Sequence, residues 1–169
     1  MEELRKNEIL TAVIDGYNSE AMGVCHVRGR AVFVPRALLG EEWELRIVKV
    51  TAAAVYARGE RLLSPAPVRR DSDCPYYGKC GGCDTRHMCY EEELRFKLGR
   101  VNDALAHIGR QSIRAEEILG SDRITRYRNK GIFAVASLDG RAAFCFYRER
   151  SHELIPMHDC LIQRELGIR

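Results

Sequence analysis

Three cysteines of this chain, Cys74, Cys80 and Cys83, fall within the single short run CPYYGKCGGC, and a fourth, Cys160, closes the run MHDC after a gap of 76 residues. Thiolates in such an arrangement are metal ligands before they are anything else. Three on one tight loop provide most of a coordination shell, and a remote fourth completes it by tying the chain back on itself. Gly81 and Gly82 let the backbone approach a bulky inorganic core where a Cβ would collide. Four-cysteine zinc sites are usually built from two C-x2-C knuckles, and only one complete knuckle is present here. The three-plus-one pattern therefore favours a 4Fe–4S cluster, with structural zinc as the rival and unligated thiols as the bland reading.

The other cysteines divide by context. Cys25 and Cys145 lie inside strand-like runs and read as small buried hydrophobes. Cys89 stands close to the loop and is the alternative to Cys160 as fourth ligand. His87 and His158 have zinc-ligand chemistry but read as neighbours of the site or as surface residues. The N-terminus MEELRKNEIL has no apolar signal core, and no stretch is long and apolar enough to span a bilayer. That points to a cytoplasmic chain with no membrane partner, where a metal site is the better explanation of seven cysteines than a disulfide framework.

Charge is weakly informative in total and more so in distribution. The net charge is +3; residues 1–66 carry nine Lys/Arg against nine Asp/Glu, so the excess lies entirely in 67–169. Arg123, Arg126, Arg128 and Lys130 crowd around Tyr127, and Arg148 and Arg150 follow Tyr147. Cations meet phosphate and rings stack on bases, so Arg126, Tyr127, Arg128, Lys130, Arg148 and Arg150 are the candidate RNA contacts. An ordinary charged hairpin is the alternative. Arg28, Arg30 and Arg36 flank strands of the first third, where the acidic run Glu41, Glu42 and Glu44 argues against a uniformly basic face.

The elements that must position these residues are mainly β, with one long helix, an α+β composition. Runs at Ile9–Ile14, Met22–Val27, Ala31–Val34, Trp43–Val50 and Ala53–Leu63, separated by Asp15-Gly16, Arg28-Gly29-Arg30, Pro35 and Leu39-Gly40-Glu41, predict a small closed barrel over residues 1–66. The Trp43–Val50 run mixes alternation with a bulge-like slip. Ser64-Pro65-Ala66-Pro67 ends that unit. The cysteine loop has no apolar period. Leu94, Leu98, Val101, Leu105 and Ile108 then recur at helical spacing, predicting a helix over 90–108 whose stripe packs into a core, with Glu91–Glu93 in its first turn and Gly109 at its end. Tyr127–Ala136 and Arg141–Tyr147 flank Asp139-Gly140 as a hairpin, with Glu153–Ile155 as a third short strand.

Taken together, these segments resemble a known family. CPYYGKCGGCDTRHMCYEEELRFK is similar to the cluster loop of bacterial 23S ribosomal RNA uracil-C5 methyltransferases, and RYRNKGIFAV and FCFYRERSHELIPMHDCLIQ resemble the next two motifs of that family, in order. GYNSEAMGVCHVRGRAVFVPRALLGEEWEL is similar, more loosely, to its TRAM domain, an OB-like RNA-binding barrel. The resemblance implies that Cys74, Cys80, Cys83 and Cys160 hold a 4Fe–4S cluster that shapes an RNA-binding surface. It implies a TRAM-like barrel over 1–66, a cluster-binding region over 67–169, and RNA as the partner: 23S rRNA first, tRNA second, and no DNA. S-adenosylmethionine belongs, in that family, to a further Rossmann-like domain. This sequence contains no glycine-rich cofactor loop and no matching nucleophilic cysteine, so residues 1–169 read as a fragment or shortened relative that does not methylate by itself. The competing reading is a stand-alone, non-catalytic RNA-binding module with 4Fe–4S or zinc, and a weaker one is a zinc-stapled structural module with no RNA role.

Overall fold

The computed structural model describes residues 3–149 and 151–165. Arg150, one of the candidate RNA contacts, lies outside the described residues. The chain forms two compact units, one made of the residues up to Asp71 together with His87–Ile118, the other of Ser72–Arg86 with the residues from Leu119 onward.

The first unit is built on a six-stranded sheet. Its strands are β1 (Ile9–Val13), β2 (Gly16–Tyr17), β3 (Gly23–Val27), β4 (Arg30–Val34), β5 (Glu42–Val50) and β6 (Val55–Ser64), in the spatial order β1-β5-β6-β4-β3-β2. All neighbours are antiparallel except β4 and β6. The expected closed barrel is not found. The terminal strands of this order, β1 and β2, are not paired to each other, and β2 is only two residues long, too short to carry a ladder round to close the sheet. The slip anticipated in Trp43–Val50 is present as three register shifts between β5 and β6, which bend the strand and increase its twist. Where these strands cross, Gly59 is required: a Cβ there would lie 2.7 Å from the Trp43 ring.

Strand alternation sorts the side chains. Val32, Val34, Leu45, Ile47, Val55 and Ala57 all point inward and are essentially inaccessible, with Leu4, Ile14 and Cys25 among them. Each large aliphatic side chain so buried contributes on the order of 2 kcal/mol. Cys25 is the small core hydrophobe its strand context suggested, and burial pushes its thiol up to about 11. At Arg28-Gly29 both central residues have positive φ (51° and 77°), the tight turn that matches strand twist.

One buried charge organises the edge of this core. Glu41 is fully inaccessible. It accepts hydrogen bonds from the Leu38 N–H (2.8 Å) and Trp43 Nε1 (2.9 Å), and both its oxygens meet the Arg69 guanidinium, the second at 2.8 Å. Burial would raise its carboxyl, but these donors outweigh it and hold the group below the usual carboxylate range. The acidic run therefore does not present a purely acidic surface, because its first member is neutralised inside the protein.

The helix α1 (Tyr90–Asp103) continues as a single π turn, Ala104–Ile108, close to the predicted 90–108. The expectation that its apolar stripe is core is overturned. Val101 and Ile108 are 50% and 84% exposed, and Leu94, Leu98 and Leu105 are half-buried. The buried residue of the helix is Glu92, whose carboxylate accepts from the Tyr17 hydroxyl (2.9 Å) and pairs with Arg95 (2.7 Å). The Phe96 ring meets Tyr17 edge-on at 5.6 Å. The helix is thus anchored by its first turns, through residues outside the stripe.

In the second unit β7 (Ala134–Leu138), β8 (Arg141–Tyr147) and β9 (Leu154–Pro156) form an antiparallel sheet in that order. The Asp139-Gly140 turn is as expected, with φ of 50° and 77°. The first strand is shorter than predicted, because Arg126 and Arg128 pair elsewhere. The 126 and 128 amides donate to the carbonyls of Leu161 and Ile162, and the Arg164 amide donates to Arg128. Both hydrophobic clusters found among the described residues belong to the first unit. In neither unit is a helix long and apolar enough to cross a membrane, among the described residues.

His87 gives the first unit a pH dependence. It is 3% exposed, and burial, reinforced by nearby Arg69, depresses its pKa from 6.5 to about 4. An unfolded chain therefore takes up a proton between pH 6.5 and 4 that the folded chain refuses, and stability falls as pH falls through that window. Denaturant unfolding at pH 7 and pH 5 should show a loss on the order of 1–2 kcal/mol, substantially reduced in His87→Gln.

Candidate metal centre

The cysteine loop has no hydrophobic period, so hydrogen bonds hold its shape. The amides of Lys79 and Cys80 both donate to the Tyr76 carbonyl (3.0 and 2.9 Å), and Tyr77 N–H donates to Cys74 (3.1 Å), winding Cys74–Cys80 into tight successive turns. The Tyr77 hydroxyl donates to the Asp84 carbonyl (2.9 Å), and Arg86 grips Asp73 with two bonds of 2.6 and 2.8 Å. Gly81 N–H donates to the Tyr147 carbonyl (3.2 Å), which pins the loop to the end of β8 beside the Cys80–Arg148 bridge.

Cys160 reaches the loop from the other end of the sheet. His158 N–H donates to the Tyr76 hydroxyl (3.0 Å). Arg126 holds Asp159 in a bidentate pair, both bonds 2.6 Å, and also donates to the Cys160 carbonyl (3.1 Å). This is a charge-assisted fork with fixed geometry. Because the pair is open to solvent and therefore screened, its effect is chiefly to fix position. Arg126 itself sits at φ +56°, a conformation that costs a side-chain-bearing residue about 1 kcal/mol.

The result is a cavity of about 60 Å³ whose wall carries Cys74, Cys80, Cys83 and Cys160. Tyr76, Tyr77, Phe146, Ile155, Met157 and Ile162 supply the apolar part of the lining, and Arg128 and Asp159 also reach its wall. Cys89 is not among the lining residues and belongs to the other unit, as does His87. Among the described residues no group of three or more His, Cys, Asp or Glu side chains is gathered for a single metal ion; the thiols are spread around a hollow. Gly82 belongs to this cradle, since a Cβ there would come within 3.3 Å of the Cys80 sulfur. Burial raises the thiols of Cys80 and Cys83, the latter to about 11. A metal group entering here must therefore displace protons. The donors are soft thiols on a mostly apolar wall, a set whose chemistry fits an iron–sulfur group.

The candidate RNA residues are treated unequally by the fold. Arg126 is committed to Asp159, and Arg148 to Glu153 through bonds of 2.6 and 2.7 Å. Tyr127, Arg128 and Lys130 are exposed. Arg128 and Lys130 line an open groove of about 480 Å³ together with Asn129, Gly131, Ile132, Phe146 and Gln163. Asp159, Tyr76 and Gln163 were not singled out in the sequence. Only their adjacency to Cys160 and their place inside CPYYGKC could have drawn attention to the first two.

A scan against protein families finds none that matches. Among curated proteins, the chain is 35% identical over 163 residues to an uncharacterized RNA methyltransferase of Halalkalibacterium halodurans, covering 96% of this chain and 36% of that protein. Similar relatives occur in Clostridium tetani (35% identity, 96% and 35% coverage) and Listeria monocytogenes (34%, 97% and 36%). Among solved structures, the tRNA (uracil-54, C5)-methyltransferase of Pyrococcus abyssi, determined with S-adenosyl-L-homocysteine, matches with a TM-score of 0.61 at 22% identity, over 93% of this chain and 33% of that one.

Removing the Arg126 fork should loosen the segment that carries Cys160 without unfolding the sheet. In Arg126→Gln, hydrogen exchange should speed up at the amides of Arg128, Gln163 and Arg164, while those of the β7–β8 hairpin keep their protection. Equal acceleration in the hairpin would refute the positional role. Over nearly its full length, this chain is homologous to a segment about one third the length of proteins named as RNA methyltransferases.

Proposed function

We propose that residues 1–169 are the RNA-handling, iron–sulfur-bearing portion of an S-adenosylmethionine-dependent RNA uracil-C5 methyltransferase, acting on 23S rRNA, with tRNA as the alternative substrate. The observation that carries the metal half of this reading is the meeting of Cys74, Cys80, Cys83 and Cys160 on one apolar cavity. A zinc ion needs four sulfurs about 2.3 Å from one point. A polynuclear cluster takes thiolates distributed around its surface, and four thiols lining one cavity support that reading over a single ion. The second unit also has no hydrophobic cluster of its own among the described residues, and small units of this kind are commonly held together by a metal. When bound, the cluster supplies a rigid cross-link between the loop and Cys160.

The RNA half rests on the named relatives and on the exposed trio Tyr127, Arg128 and Lys130 beside the groove. Residues 1–66 are read as the TRAM-like RNA-binding module and 67–169 as the cluster-binding region. The transfer of the methyl group belongs to the longer protein.

Protein purified without oxygen should be brown and carry about four irons per chain. Cys160→Ala should lose most of that iron, and Cys89→Ala should keep it. One zinc and no iron in the parent would refute the cluster, and full iron in Cys160→Ala would refute the ligand assignment.

A second experiment reads RNA. Lys130 lines the groove but not the cysteine cavity, so Lys130→Gln should retain iron, bind single-stranded rRNA segments more weakly, and lower the log–log salt slope by about 0.7 for the lost phosphate contact. An unchanged slope would make this segment an ordinary solvated surface.

A further inference from the structure

The outer face of the N-terminal sheet carries an aromatic pair that the core does not use. Phe33 on β4 and Tyr56 on β6 are register partners across the parallel junction. Their ring centroids are 5.5 Å apart, with 38° between planes. Their chain neighbours Val32, Val34, Val55 and Ala57 are buried at 0–1% exposure, whereas both rings are only half-buried. Alternation therefore turns these rings outward, onto the face opposite the hydrophobic cluster.

Register places cations beside them. The row across the sheet runs Val24, Phe33, Tyr56, Lys49, on β3, β4, β6 and β5 in turn. The next row pairs Arg58 of β6 with Arg46 of β5. Glu60 accepts from both of these guanidinia, at 2.7 Å from Arg58 and 2.8 Å from Arg46, so one carboxylate is shared between two arginines. Glu44 lies farther along the same face and pairs with Arg61 at 3.5 Å. Around the rings, Lys49, Arg46 and Arg58 outnumber Glu60, and Lys49 and Arg58 are exposed. Across the turn, Arg30 donates to the carbonyls of Thr51 and Ala52 and ties the β3–β4 turn to the β5–β6 turn, which fixes this end of the sheet.

We propose that this outer face is a stacking platform for single-stranded RNA, with Phe33 and Tyr56 taking bases and Lys49, Arg46 and Arg58 meeting phosphates. The inference deepens the RNA reading above, rests on it, and gives the first unit a contact surface distinct from the groove at Arg128 and Lys130. Adjacent outward rings edged by cations suit an unpaired strand, because every base has a face to stack and a phosphate follows each base. A duplex keeps its base faces inside and offers a ring nothing to cover. Such a platform tolerates many sequences, so it would hold a strand without choosing its target uracil.

The test uses the full chain and a short single-stranded RNA carrying 5-iodouridine, cross-linked by light and mapped by mass spectrometry. Adducts on Phe33 or Tyr56 are expected. Phe33→Leu and Tyr56→Leu, which keep the apolar bulk, should each weaken binding of the unmodified oligonucleotide about tenfold. Phe33→Tyr and Tyr56→Phe should restore it. Lys49→Gln should lower the log–log salt slope by about 0.7. Circular dichroism melts show which leucine variants remain folded, and the cross-link map of the parent decides the matter if they do not. RNA bound and cross-linked only in the second unit, with leucine variants binding like the parent, overturns the platform and leaves the RNA reading standing. Failure to bind any RNA overturns both. Equal affinity for duplex and single strand also overturns the platform, since stacking would then play no part.

Discussion

The second unit depends on bringing one thiol, that of Cys160, to a loop that precedes it by 76 residues. Among the described residues no hydrophobic cluster of this unit does so by itself. The work is divided among the Arg126–Asp159 fork, the Tyr76 hydroxyl accepting from His158 N–H, and the main-chain pairing of 126–128 with 161–164. Each interaction is individually modest, and the fork is partly solvent-screened. Together they restrict Cys160 to one position, which is what a multidentate site requires. The strained backbone at Arg126 is compatible with this: a residue at φ +56° persists where its surroundings over-determine it.

The two units meet the same thermodynamic problem in different ways. The first buries a run of branched aliphatic side chains and holds its fully inaccessible carboxylate, Glu41, in a network where both oxygens are satisfied. An unpaired charge at that position would cost several kcal/mol, so Arg69 and Glu41 form an obligate couple. The second unit has a three-stranded sheet, a loop shaped by turns and a cavity lined with thiols. Filling that cavity with a group that binds all four sulfurs would replace the missing core with covalent constraint.

Charge in this protein is informative only after pairing is known. Of the basic residues around the hairpin, Arg126 and Arg148 are held by carboxylates and act within the fold, while Arg128 and Lys130 face the groove. In the first unit the total charge is balanced, yet register gathers Lys49, Arg46 and Arg58 beside two outward rings. Composition alone would have passed over that face.

Local chemistry was legible in the sequence. The Asp139-Gly140 hairpin, the helix beginning at Tyr90, the irregular β5 and the burial of Cys25 and Cys145 each follow from propensity or alternation over a few residues, and each is present. Cys74, Cys80, Cys83 and Cys160, which the spacing singled out with Cys89 as the alternative, line one cavity, and their role as ligands belongs to the proposal. What the sequence could not decide were the matters that depend on partners distant in the chain. The helical stripe was expected to be buried, but periodicity records only that one face is apolar, not that anything covers it, and Val101 and Ile108 are exposed. A closed barrel was expected from strand count, but closure needs the end strands to pair, and β1 and β2 do not. Arg126 and Arg128 looked like equivalent surface cations because their neighbours in sequence are alike. Only the tertiary structure, by placing Asp159 33 residues away against one of them, separated a residue that positions the site from one free to meet a ligand.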